Sequence, residues 1–208
     1  MKIDHLVLAT SNPGKLREYR RLGPNSAVAL DLMTGFADLP IFEEAAPTFA
    51  ENAAGKALYY SRFADGVVLA EDSGLVVPAL NGAPGVKSAR YAGETATDAD
   101  RVRKLVDEMA PMRDRERAAK FVCVIALACR RRAIAIMSDE VHGSIAHEPR
   151  GANGFGYDPV FFVPEIGKTF AEATAEEKDR LSHRGKAFRK LLAFLLGGDI
   201  GITVSQGS

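Results

Sequence analysis

Short apolar runs alternate along the chain with polar stretches that carry helix caps, and this alternation marks out most of the elements. Residues 5–9, HLVLA, are the first run and predict a strand. The small polar segment Thr10-Ser11-Asn12-Pro13-Gly14-Lys15 follows, then LREYRRL, which predicts an amphipathic helix. Residues 24–47 are irregular except for a strand near Ala27–Leu32. Thr48-Phe49-Ala50-Glu51 is a capping box that starts a helix to about Phe63. The run Val67-Val68-Leu69-Ala70 predicts a strand that stops at Glu71 and Asp72; a Ser73-Gly74 turn and a second run, Leu75-Val76-Val77, come next.

Thr97-Asp98-Ala99-Asp100 caps a helix to about Met109, and residues 111–117, PMRDRER, read as a charged surface loop. Phe121–Cys129 is almost wholly apolar and predicts a central strand. Ala133–Met137 and Val141–Ala146 predict two more, with Gly143 at a bulge, and the three form an antiparallel meander. Val160–Val163 is a further strand. Thr174-Ala175-Glu176-Glu177 repeats the capping box, and Ser182-His183-Arg184-Gly185-Lys186 opens a last helix, FRKLLAFLL.

A chain of 208 residues is long enough for one sizeable core, so 1–208 is expected to be a single domain. Basic and acidic residues both number 27, and the net charge is zero. No overall basic field exists to hold nucleic acid, and an anionic ligand needs a local cluster of cations. Cys123 and Cys129 lie in an apolar run and read as buried small hydrophobes rather than a disulfide or metal pair. No apolar segment approaches the ~20 residues of a membrane span, and the start of the chain lacks a signal-peptide layout. The expected location is the cytoplasm.

The chemistry concentrates in Val68–Gly93. Glu71 and Asp72 follow a buried run, where acids are costly unless something positive sits on them. Carboxylate oxygens suit a hard divalent cation such as Mg²⁺. The Thr10–Lys15 segment has the strand–loop–helix layout that aims backbone N–H groups at an anion; it reads equally as an ordinary helix start with Asn12 as cap and Pro13 at the first helical position. Lys56 gains interest because Glu44 lies just ahead of its helix. Phe155, with Gly154 and Gly156 on either side, has no local packing partners and is free to present its face to a flat ligand. His183 and Arg184 in a first helical turn run against the macrodipole, which a nearby anion or keto oxygen would offset. Metal, phosphates and a flat base would use all these parts, which points to a nucleoside polyphosphate.

Six blocks occur in order: Thr10-Ser11-Asn12-Pro13-Gly14-Lys15; Phe49-x-Glu51-Asn52-Ala53; Asp72-Ser73-Gly74-Leu75; Gly82-Ala83-Pro84-Gly85 with Ser88-Ala89-Arg90-Tyr91; Gly154-Phe155-Gly156-Tyr157-Asp158-Pro159; and Ser182-His183-Arg184. With them the sequence, from Leu6 to Leu196, resembles the inosine triphosphate pyrophosphatase family, hydrolases that remove dITP, ITP and XTP. The resemblance implies an elongated, two-lobed α/β fold around a long mixed β-sheet flanked by helices, with the site in a cleft between the lobes, and a homodimer. It implies Mg²⁺-dependent hydrolysis between the α- and β-phosphates. Asp72 would be metal ligand and proton acceptor, and Glu44 a second metal ligand. Thr10, Ser11, Asn12, Pro13, Gly14, Lys15, Lys56 and Ser73 would contact phosphates. Phe155 would stack on the base beside Gly156, Tyr157 and Asp158, with Lys178, His183 and Arg184 completing the contacts. Inosine and xanthosine present a 6-oxo acceptor where adenine has an amino donor, so donors from His183 or Arg184 would select them. Two positions depart from the family pattern. Glu71 replaces the first of two aspartates, and Ala46 replaces a glycine. A pyrophosphatase for modified pyrimidine nucleotides and a non-hydrolysing nucleotide sensor are the competing readings.

Overall fold

The computed structural model describes residues 3–23 and 28–197. The strands are β1 (His5–Leu8), β2 (Ala29–Leu32), β3 (Val67–Val76), β4 (Ala118–Cys129), β5 (Arg132–Ile145), β6 (Phe161–Val163) and β7 (Lys168–Thr169). The helices are α1 (Pro13–Leu22), α2 (Phe49–Tyr60), α3 (Asp98–Met109), α4 (Ala175–Leu181) and α5 (His183–Gly197). One seven-stranded sheet runs in the order β2-β1-β3-β4-β5-β6-β7. β1 pairs in parallel with β2 and β3; every other pairing is antiparallel. The fold is therefore α/β with a mixed sheet, as expected. No helix among the described residues is long and apolar enough to cross a membrane.

The local signals act where the sequence puts them. Asn12 caps α1, and Pro13 opens it, where its missing N–H is no loss. Thr97 with Asp100 and Thr174 with Glu177 form reciprocal capping boxes. Thr48 caps α2, but its Glu51 accepts the Thr48 hydroxyl at 2.6 Å rather than the cap's backbone N–H. Cys123 and Cys129 are free thiols, and Cys123 is buried. Ala27, placed at the start of a strand by the sequence, lies outside the described residues; the strand there spans Ala29–Leu32.

Three expectations are corrected. β3 does not stop at the acids. It continues through Glu71, Asp72, Ser73 and Gly74 to Val76, paired throughout with β4. Successive side chains alternate across a strand. Val67 and Leu69 pack with α1 and α5, through Tyr19 and Phe188, while Val68 and Ala70 pack with α2, through Ala53 and Ala57. The same alternation sends Glu71 to the α1/α5 face and Asp72 to the α2 face. β5 is one strand rather than two, and the sheet's irregularity lies at Leu127/Ala128 rather than at Gly143. At Gly143 the backbone of β6 comes so close that a Cβ would sit 2.3 Å from the Phe162 carbonyl oxygen. Finally, the 111–117 segment is not all surface. Arg117 is buried and donates to the carbonyls of Met109, Ile145 and Ala146 at 2.7, 2.7 and 2.9 Å, joining the end of α3 to the end of β5.

β5 meets β6 only at Ser144 and Ile145, so most of its outer edge has no strand partner among the described residues. Two lysines of α5 cover part of that edge. Lys186 donates to the Glu140 carbonyl at 3.3 Å, and Lys190 to the Ser138 carbonyl at 3.1 Å.

Candidate active site

β3 and the segments around it enclose a cleft of about 890 Å³. Thr10, Ser11, Asn12, Lys15, Glu44, Lys56, Asp72, Ser73, Phe155, Gly156, Tyr157, Asp158, Lys178, His183 and Arg184 all line it. Residues far apart in sequence thus converge as the motifs suggest. Pro13 and Gly14 do not line the cleft. They form the first turn of α1, and Gly14 lines a smaller hollow of about 260 Å³ shared with Phe155 and Lys178.

On the α1/α5 face, β3 delivers Glu71 into a dense ionic cluster. Arg184, in the first turn of α5, grips Glu71 with Nε and Nη2, each at 2.8 Å. Lys15 lies 3.0 Å from Glu71, and the Tyr19 hydroxyl donates to it at 2.6 Å. Ser73 donates to Glu71 at 3.0 Å and accepts from Arg184 Nη2 at 3.0 Å. Glu18 bridges Arg184 and Lys178, lying 2.6 Å from the lysine ammonium. Lys178 also pairs with Asp158, whose carboxylate accepts the Phe155 N–H at 2.8 Å. Gly154, at φ +78°, makes that last arrangement possible, since a Cβ there would collide with the Asp158 carboxylate at 2.0 Å.

The cluster holds the cations Lys15, Lys178 and Arg184 against Glu18, Glu71 and Asp158, and it is balanced in charge. Burial alone would push Glu71 up, but Arg184 and Lys15 outweigh it and hold the carboxyl well below the ordinary range. Burial likewise opposes ionised Glu18, yet Arg184 and Lys178 bring its pKa down to about 2. The macrodipole conflict at Arg184 is therefore offset by the protein's own carboxylates. His183 is not a cation. Burial first, and the Arg184 charge second, push it well below the ordinary imidazole value, and its ring stacks on Phe121 at 4.8 Å. Its Nδ1 has no hydrogen-bond partner among the described residues.

On the other face, Asp72 stands in a different setting. Asn52 of α2 donates to it at 3.0 Å. Burial, and next the negative charge of Glu44, raise its pKa to about 6 against the pull of Lys15 and Asn52. Glu44 is paired with Lys56 at 2.6 Å, and its carbonyl accepts from Arg90 at 2.8 Å. Among the described residues no three His, Cys, Asp or Glu side chains converge as a metal cage. Asp72 and Glu44 remain as two carboxylates, and the charge of Glu44 opposes ionisation of Asp72. That donor set suits a hard cation that completes its shell with water and substrate oxygens.

Three N–H groups of the Thr10–Lys15 segment are taken up within it. Asn12 Oδ1 accepts from the N–H groups of Gly14 and Lys15 at 2.9 and 3.0 Å, and Thr10 accepts from Asn12 N–H at 3.2 Å. Phe155, expected to lack local packing partners, is supported by residues distant in sequence. Its ring lies so close to Gly14 that a Cβ there would be 2.4 Å from Phe155 Cγ. Lys178 Nζ is 4.9 Å and Arg184 Cζ 5.7 Å from the ring centroid, both within cation–π reach.

Sequence reasoning passed over Glu18, Tyr19 and the contact of Asn52 with Asp72. A signal for the first two exists. Lys15, Glu18 and Tyr19 are spaced i, i+3, i+4 and share a helix face, so an acid beside the buried tyrosine needs a cation.

Comparison with known proteins finds relatives over most of the chain. The chain is 48% identical over 186 residues to a dITP/XTP pyrophosphatase of Geobacillus kaustophilus, covering 89% of this chain and 91% of that one. It is 46% identical over 194 residues to a dITP/XTP pyrophosphatase of Legionella pneumophila, covering 91% and 97%. Among solved structures, a HAM1 protein from Coxiella burnetii superposes with a TM-score of 0.83 at 42% identity, covering 93% of this chain and 99% of that one. The Ham1 family model matches residues 6–194. A cleft lined from blocks far apart in sequence, relatives that align over about nine-tenths of the chain and a shared fold lead to one conclusion: the chain belongs to the Ham1 family.

Proposed function

We propose that the protein hydrolyses dITP, ITP and XTP to the nucleoside monophosphate and pyrophosphate in a Mg²⁺-dependent reaction. The observation that carries this reading is Asp72. It is a buried carboxylate with a pKa near 6, facing Glu44 across a cleft otherwise rich in paired cations. Relatives of this chain named dITP/XTP pyrophosphatase supply the substrate class.

In this reading Asp72 accepts a proton from the water that attacks the α-phosphorus, and the bond to the β-phosphate oxygen breaks to release pyrophosphate. A pKa near neutrality suits a general base, which contributes roughly 10²–10⁴-fold. Asp72 and Glu44 would hold the Mg²⁺, which lowers the pKa of bound water and neutralises phosphate oxygens. Lys56, now on Glu44, and Lys15, now on Glu71, are placed to exchange those partners for phosphate oxygens, with Ser73 and the Thr10–Gly14 segment beside them. Such a reaction rests on positioning and charge stabilisation more than on covalent help.

Phe155 would stack on the base beside Gly156, Tyr157 and Asp158. His183 Nδ1 and one Nη1 hydrogen of Arg184 have no protein partner among the described residues, since four of the five guanidinium hydrogens serve Glu71, Glu18 and Ser73. The Arg184 hydrogen, and His183 Nδ1 in the tautomer that carries its proton there, suit a 6-oxo group and would be left unpaired or opposed by the 6-amino group of adenine. We further propose a single domain with the cleft between two lobes, a homodimer, and action on a cytoplasmic nucleotide pool.

The test is release of pyrophosphate and orthophosphate from dITP, XTP, dATP and dGTP with Mg²⁺, for wild type and Asp72→Asn. Pyrophosphate from dITP and XTP, lost in the variant, supports the reading. Orthophosphate would place the attack on another phosphorus. A pyrimidine preference would favour the related pyrimidine enzyme, and no release from any nucleotide would favour a sensor.

A further inference from the structure

We propose that Asn52 is a positioning residue that locks the Glu44-bearing segment to Asp72. The inference rests on the assignment of Asp72 and Glu44 as the working acid pair. Asn52 is 1% exposed, in the first turns of α2, where an asparagine has no advantage in helix propensity. Its side-chain amide is used on both sides. Oδ1 accepts from the Ala46 N–H at 2.9 Å, while Nδ2 donates to the Ala46 carbonyl at 3.3 Å and to Asp72 Oδ2 at 3.0 Å. One side chain therefore clasps the backbone two residues after Glu44 and the carboxylate of Asp72 at once.

The clasp matters because the segment's other anchor on α2 lies ahead of Glu44, where the Phe42 N–H donates to the Tyr60 hydroxyl at 3.1 Å and the Phe42 ring packs on Tyr59. Residues 41–48 contain no helix or strand. The Glu44 side chain is held by Lys56, and its carbonyl by Arg90. Once Lys56 turns to a phosphate, the side-chain hold on Glu44 is lost. The side-chain bonds that remain on the segment's backbone are those of Tyr60 with the Phe42 N–H, of Arg90 with the Glu44 carbonyl and of Asn52 with Ala46, and of these three residues Asn52 also contacts Asp72. The separation of the two acids is then set by Asn52. No other side chain of similar size can make this set of bonds. Aspartate keeps the acceptor for Ala46 N–H but has no donor for the Ala46 carbonyl or for Asp72, and leucine has neither.

The experiment combines amide hydrogen exchange of the metal-free full chain with steady-state kinetics on dITP, for wild type, Asn52→Ala, Asn52→Asp, Glu44→Gln and the Asn52→Ala/Glu44→Gln double variant. In Asn52→Ala, exchange of peptides spanning 41–48 should rise while that of β4 and α5 stays unchanged. The kcat should fall about 10- to 100-fold, as expected for a displaced catalytic group, with KM within about threefold. Asn52→Asp should keep the segment's protection better than Asn52→Ala yet lose kcat. The double variant should be no worse than the poorer single variant, because Asn52 acts through the placement of Glu44. Unchanged 41–48 exchange in Asn52→Ala would overturn the proposal, as would a kcat within twofold of wild type or additive losses in the double variant. A general rise in exchange across β4 and α5 would reduce Asn52 to a packing role and also overturn it. If wild type releases no pyrophosphate at all, the hydrolase reading fails. The proposal then stands or falls on exchange alone, which must still rise over 41–48 in Asn52→Ala.

Discussion

Glu71 and Asp72 are neighbours on one strand, both are buried, and they behave in opposite ways. Glu71 is surrounded by Arg184, Lys15, Tyr19 and Ser73, and its charge is held. Asp72, on the reverse face, has one neutral donor, Asn52, and a like charge, Glu44, close by. The period of two in a strand is the whole cause, since it turns adjacent acids to opposite sides of the sheet. A carboxylate with satisfied partners is a structural element. A carboxylate kept short of partners retains its capacity for a proton or a cation. Perturbed acids of the second kind tend to mark functional sites.

The comparison can be broken first at Asp72. Asp72→Asn should lower kcat by roughly 10²–10⁴-fold, the range for loss of a general base, in the pyrophosphate-release assay. The corresponding change next door, Glu71→Gln, should act on stability. It leaves Arg184 and Lys15 undercompensated in the interior, and breaking a buried pair costs about 3–5 kcal/mol, read as a lower urea midpoint.

Acid titration sharpens the contrast. For metal-free protein, Asp72 binds a proton more tightly folded than unfolded, its pKa moving from 3.8 to about 6. Its contribution to stability therefore falls as pH rises from about 4 to 6, by an amount of order 3 kcal/mol at 1.36 kcal/mol per pKa unit. Asp72→Asn should abolish that slope and melt higher than wild type at pH 7. Glu71 has the opposite sign: its folded pKa lies well below the ordinary glutamate value of 4.5, so its stabilisation is present above that pH and is lost on further acidification. The smallest effect is expected from Tyr19→Phe. It removes one hydrogen bond to a charged group, about 1.5–3 kcal/mol, and should leave kcat unchanged because Tyr19 lies outside the cleft.

What the sequence made legible is what depends on near neighbours. Asn12-Pro13, Thr97-x-x-Asp100 and Thr174-x-x-Glu177 are local devices, and each starts its helix as read. The chemical parts of the cleft were legible as residue types. Their pairing was not, because the partner of Glu71 lies 113 residues away and that of Glu18 166 residues away. For the same reason β3 seemed to end at its acids: with no cation in sight, two carboxylates look like a solvent boundary. The polar residues Ser138-Asp139-Glu140 split β5 on paper for a similar reason, since α5 supplies the lysines that cover them. The support of Phe155 was not legible, because it comes from Gly14, distant in sequence and lacking any side chain to announce it.

The two lysines of α5 that reach over the outer edge of β5 have a bearing on how the molecule behaves in a crowd. A long strand edge with open carbonyls invites a strand from another molecule to add on, and charged side chains placed there are a common defence. Lys186 and Lys190 also set ammonium groups on that edge, Lys190 paired with Asp139 at 2.8 Å, so an added strand would have to displace charged side chains. Replacing both with glutamine should leave the fold in place but shorten the time to visible light scattering on storage at high concentration. Shelf life, in this protein, hangs on the same helix whose first turn holds Arg184.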